Sequence, residues 1–179
     1  NSPGEQFGES IAAVGDVDGD GIGDIVTGSP GFDGGAVLDV GRATLTFGSI
    51  SLQSGGSPPA LYIQGELAGD QAGNAVARAG LLNNDTLADL AIGAPHANGD
   101  KGGAYVVFGN ALLRGQVNNT LLLSNLMSCT QPTGFCGVKF VGEAVGDKAG
   151  ASVAFAGDIN GDGKQDLLIG APGADPPGR

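Results

Sequence analysis

Three segments of this chain align end to end without a gap. "GEQFGESIAAVGDVDGDGIGDIVTGSP" occupies residues 4–30, "GDQAGNAVARAGLLNNDTLADLAIGAP" 69–95 and "GDKAGASVAFAGDINGDGKQDLLIGAP" 146–172, each 27 residues long. Their starts are 65 and then 77 residues apart (69 − 4 and 146 − 69). A repeat of that period means one supersecondary unit used several times, each copy burying its apolar surface against the next. The strand pattern of one copy is therefore the key to the whole chain.

Within each copy two short apolar runs flank a turn, as "SIAAV" and "IVTG" flank "GDVDGDGIGD". Two further β-like runs follow in the first two copies: "ATLTFG" (43–48) and "AYVVFG" (104–109), then "LYIQGE" (61–66) and "KFVGE" (139–143). Glycine is the commonest residue, 35 of 179, and each interior glycine costs a helix about 1 kcal/mol. Each unit reads strand, acidic turn, strand, loop, strand, loop, strand. The expected fold class is all-β, with β-propeller-type four-stranded antiparallel blades. The units run 1–66, 67–143 with an insertion at 110–137, and 144–179, which is half a blade. About two and a half blades do not close a ring, and open sheet edges invite pairing. Either a longer array or neighbouring copies, in a ring or a fibre, are expected to complete the sheets.

The formal net charge is −11, and it is clustered. Nine of the 19 acidic residues fall within 16–24, 85–89 and 158–166. Such a chain repels nucleic acid and anionic membranes, and draws cations instead. No apolar stretch approaches the ~18 residues of a membrane span, so no membrane insertion is expected. No leader is visible either, and the opening "NSPGEQFGES" suits a mature or excised piece.

Spacing within the turns points to a specific ligand. Positions 1, 3, 5 and 9 carry side-chain oxygens: Asp16, Asp18, Asp20 and Asp24 in the first turn, Asp158, Asn160, Asp162 and Asp166 in the third. Position 7 (Ile22, Lys164) offers only its backbone carbonyl, which leaves its side chain free to vary. Glycines at positions 4 and 6 (Gly19, Gly21; Gly161, Gly163) permit a tight coil. Five hard oxygen ligands, completed by water or a bidentate carboxylate, suit Ca²⁺. Unit charges about 4 Å apart repel by about 1 kcal/mol even in water, and a divalent ion reverses that sign. An EF-hand requires glutamate at position 12, where Thr27 and Ile169 stand. A phosphate-binding loop would carry GKS/T and no aspartates. The middle turn has Leu81 at position 1 and lacks the glycines, so Asn83, Asp85 and Asp89 form at most a weak site.

Cys129 and Cys136, in "CTQPTGFC", suit a disulfide-closed loop and an oxidising compartment. Asn84 and Asn118 lie in N-x-S/T sequons, with Asn118 in the insertion the better glycosylation candidate. His96 is the only histidine and sits in a turn. No G-x-S-x-G elbow or Cys–His pairing is present, so no enzyme activity is expected.

These motifs resemble the FG-GAP repeats of integrin α-subunits and related extracellular proteins. "FG" stands at Phe7-Gly8, with Ala72-Gly73 and Ala149-Gly150 in its place later. "GAP" stands at Gly93–Pro95 and Gly170–Pro172, with "GSP" at Gly28–Pro30, and the acidic turn lies between the two motifs each time. The resemblance implies a β-propeller with Ca²⁺ in hairpin turns between the first two strands of a blade, at the extracellular face or cell surface. It also implies a role in adhesion or extracellular assembly. The expected function is a calcium-stabilised adhesion or surface-assembly module with protein partners or further copies of itself. The alternatives are a self-assembling structural subunit and an accessory domain of a larger secreted enzyme.

Overall fold

The computed structural model describes residues 4–49, 58–83, 85–126 and 135–175. Each 27-residue segment forms one β-hairpin: β1 (Ser10–Gly15) with β2 (Asp24–Ser29), β5 (Ala75–Gly80) with β6 (Asp89–Ala94), and β10 (Ser152–Gly157) with β11 (Asp166–Gly170). All three are antiparallel, and all three slip register just before the acidic turn, at Gly15, Gly80 and Gly157. These glycines have positive φ, which marks a glycine bulge that bends the strand into the turn.

In the first unit β2 pairs with β3 (Arg42–Thr46), which pairs with β4 (Ala60–Gln64). In the second, β6 pairs with β7 (Gly103–Val107), which pairs with β9 (Gly137–Val141). These are four-stranded antiparallel blades, followed by the two-stranded start of a third. The first sheet departs from the expected four strands. A fifth strand, β8 (Thr120–Leu122), runs parallel to β4 along its outer edge. It comes from the insertion of the second unit, so one repeat covers the exposed edge of its neighbour, where unpaired backbone groups would otherwise face outward.

The sheets stack face to face, with β5 lying against β1 on one side and β10 on the other. The second blade is thus covered on both faces, and every residue of β6 and β7 is buried. Alternation along its strands divides two cores. Leu90, Ile92, Tyr105 and Val107 meet Val14, Val26, Leu45, Phe47, Leu61 and Ile63 of the first blade. Ala77, Ala79, Ala91 and Val106 face Val153 and Leu167 of the third unit. The insertion joins the first core through Leu113, Leu123 and Leu126, all at most 3% exposed.

The paired motifs "FG" and "GAP" hold this stack. Within each unit the N–H of the first motif's glycine donates to the carbonyl of the second motif's glycine: Gly8 to Gly28 (2.9 Å), Gly73 to Gly93 (3.0 Å) and Gly150 to Gly170 (3.0 Å). Between units the contact is closer still. A Cβ at Gly28 would lie 1.9 Å from the Gly73 carbonyl oxygen, and one at Gly93 would lie 2.0 Å from that of Gly150. Adjacent blades therefore touch backbone to backbone. The alanines at the phenylalanine position fit the same joint: Ala72 and Ala149 bridge to Gly41 and Gly102 of the preceding unit and are buried.

Candidate metal centre

The acidic turns sit between the first two strands of each unit and share one hydrogen-bond scaffold. In the first, Asp16 accepts from the N–H groups of Gly19 (2.7 Å) and Gly21 (2.8 Å), Asp18 from Asp20 (3.2 Å), and Asp20 from Ile22 (2.8 Å). The third turn repeats it. Asp158 accepts from Gly161 (2.8 Å) and Gly163 (2.9 Å), Asn160 from Asp162 (2.9 Å), and Asp162 from Lys164 (2.8 Å). Gly19, Gly21, Gly161 and Gly163 all have positive φ, as so tight a coil requires. Ile22 turns its side chain toward Gly48, where an added Cβ would lie 2.5 Å from its Cγ2.

Position 9 has a role that spacing did not reveal. Asp24 is 1% exposed, and its two oxygens accept from the N–H groups of Val17 and Gly48, both at 2.8 Å. Asp89 does the same with Leu82 (2.7 Å) and Gly109 (3.0 Å), and is wholly buried. Asp166 accepts from Ile159 (2.8 Å). In the two complete blades this carboxylate ties the acidic turn to the glycine two residues past the third strand. The middle turn keeps this latch, together with the Asn83–Asp85 and Asp85–Leu87 bonds. Leu81 offers no carboxylate; its N–H donates instead to the Gln165 side chain of the next unit, at 2.7 Å.

The first turn brings oxygens into convergence. Ligand oxygens of Asp16, Asp18 and Asp24 lie within 4.8 Å of one another, and among the described residues no other trio of acidic, His or Cys groups does so. Burial pushes the Asp18 and Asp24 carboxyls above their ordinary pKa, against the pull of the backbone N–H groups that each accepts; neighbouring carboxylates add to the rise. Asp18 Oδ2 is buried with no hydrogen-bond donor, on a side chain 1% exposed. Arg114 Nε comes within 3.1 Å of it without directing its N–H there. Three converging carboxylates, one of them with a buried oxygen that accepts no hydrogen bond and meets only the Arg114 charge, fit a hard divalent cation. Asp20 stands apart from the trio, ion-paired through Oδ2 to Arg114. In the third turn Asp158, Asn160 and Asp162 are exposed.

Other sequence candidates are placed as follows. His96 Nδ1 lies 2.6 Å from Asp100 Oδ1 within one turn. Asn118 is exposed, with φ of 64°, in the insertion. Asn84 and Cys129 lie outside the described residues, and with Cys129 the proposed pairing to Cys136. Sequence reading passed over three further acids. Glu5, Asp70 and Asp147 hold the second position of every segment and are all buried. Asp70 accepts from Leu67 N–H (2.8 Å), Asp147 from Ala144 N–H (2.7 Å), and Glu5 pairs with Arg42. An acid at one register in all three copies was a usable signal.

Stacked antiparallel blades, each opening on a hairpin with an oxygen-lined turn, define a repeat protein of the β-propeller class. Residues 7–43 and 149–179 match the family model of the FG-GAP repeat, so the chain carries FG-GAP repeats. It is 30% identical to integrin alpha-5 of Xenopus laevis, over 98% of this chain and 16% of that protein. It is 32% identical to integrin alpha-V of Gallus gallus over the same shares. A phosphatidylinositol-glycan-specific phospholipase D of Bos taurus is 30% identical over 88% of this chain and 18% of its own length. The chain thus spans less than a fifth of these relatives. Among the described residues no helix is long and apolar enough to cross a membrane.

Proposed function

We propose that this chain is a calcium-stabilised, non-catalytic propeller segment of an extracellular or cell-surface protein, serving adhesion or surface assembly through protein partners. Ca²⁺ is held in the first turn by Asp16, Asp18, Asp20, Asp24 and the Ile22 carbonyl, and in the third by Asp158, Asn160, Asp162, Asp166 and the Lys164 carbonyl. The convergence of Asp16, Asp18 and Asp24, with an Asp18 oxygen that accepts no hydrogen bond, carries this reading. The bound ion supplies positive charge at the centre of a turn that its own carboxylates otherwise strain. The integrin relatives support the adhesion role. The phospholipase relative supports a second reading, an accessory unit within a larger secreted enzyme, for which the same calcium chemistry holds.

A site at a hundred times its dissociation constant adds about 2.7 kcal/mol, or roughly 5–10 °C in a domain of this size. Thermal unfolding in millimolar Ca²⁺ and in excess chelator is expected to differ by at least that much. Identical melting in the two conditions contradicts the reading.

A further inference from the structure

A cation from the second unit reaches into the first acidic turn. Arg114 lies in the insertion, on a 3-10 turn spanning Leu113–Gln116. Its backbone is fixed beside the first acidic turn: Leu113 is buried in the core, and Asn110 N–H donates to the Val17 carbonyl at 2.9 Å. From there the guanidinium reaches into the turn. It ion-pairs with Asp20 Oδ2, approaches Asp18 Oδ2 at 3.1 Å, and donates to the Gly48 carbonyl at 2.8 Å. It also lies 5.7 Å from the centre of the Phe47 ring.

We infer that Arg114 is a built-in counter-ion that lowers the calcium affinity of the first turn. The inference rests on the calcium reading above. The guanidinium and a divalent ion draw on the same two carboxylates, Asp18 and Asp20. With no ion bound, Arg114 neutralises part of the turn and steadies it. An entering Ca²⁺ must displace it from those oxygens, and the repulsion between the two cations lowers affinity by about tenfold for a separation near 6 Å in water. Filling of the first turn therefore loosens the insertion's hold on it.

Calorimetric Ca²⁺ titration of the whole chain tests this, with Asp162→Ala present throughout to disable the third turn. Adding Arg114→Gln is expected to raise the remaining affinity about tenfold, and Arg114→Lys, which keeps the charge, to leave it within about threefold. Unfolding supplies a second readout: Arg114→Gln should lower the melting temperature in chelator and not in saturating Ca²⁺. Equal or weaker binding by Arg114→Gln, or the same melting deficit in both conditions, makes Arg114 a structural anchor only and overturns the inference while calcium binding stands. Absence of binding heat in every variant overturns the calcium reading itself, and the inference with it.

Discussion

Gly28→Ala is expected to destabilise the chain by about 3 kcal/mol or more, the range of severe overpacking. The added methyl would stand 1.9 Å from the Gly73 carbonyl oxygen and 2.3 Å from Ser10 Oγ. The serine hydroxyl can rotate away. The carbonyl cannot, because it belongs to a backbone whose neighbouring N–H is bonded to Gly93. Relief requires the first and second blades to separate, and their shared core of Leu45, Phe47, Leu90 and Ile92 would part with them. Gly115→Ala is the matched control, since an added Cβ there meets nothing within 4 Å; it is expected to change stability by about 0.5 kcal/mol or less. Urea denaturation of both variants measures the difference. A Gly28→Ala protein as stable as the parent would refute the backbone joint between blades.

Asp89→Ala should cost about 3 kcal/mol, and by the same amount in calcium and in chelator. Both carboxylate oxygens accept buried N–H groups, so the change strands the donors of Leu82 and Gly109. A hydrogen bond to a charged group is worth about 1.5–3 kcal/mol, and a stranded buried donor about 1–3 kcal/mol. Asp89→Asn keeps one acceptor and should recover part of the loss. The middle turn is the informative place for this measurement, because Leu81 removes its first ligand. A loss at Asp89 that disappears in chelator would mean that position 9 acts through an ion rather than as a latch between the turn and the third strand.

Much of this architecture was written in the repeat. Aligned copies gave the hairpins, and the apolar runs at 43–48, 61–66, 104–109 and 139–143 lie on or beside β3, β4, β7 and β9. Local pattern suffices there, because β-branched and aromatic residues alternate between cores. What was not legible depended on partners distant in the chain. β8 is three residues, "TLL", in a segment that the first unit lacks, and its pairing exists only because the β4 edge lies nearby. Arg114 carried no signal for the same reason: its acidic partners are 94 and 96 residues away (114 − 20 and 114 − 18). Asp24 and Asp89 were read as ligands from spacing alone. Spacing fixes which oxygens are present, and it does not show that Gly48 and Gly109 bring backbone donors to the same atoms.

The central claim is that divalent ions sit in the first and third turns and not in the second. The most direct test is an anomalous difference map from crystals grown in millimolar calcium. Peaks are expected among Asp16, Asp18, Asp20 and Asp24 and among Asp158, Asn160, Asp162 and Asp166, with none beside Asp85. Maps featureless at both turns, with only water inside them, would contradict it.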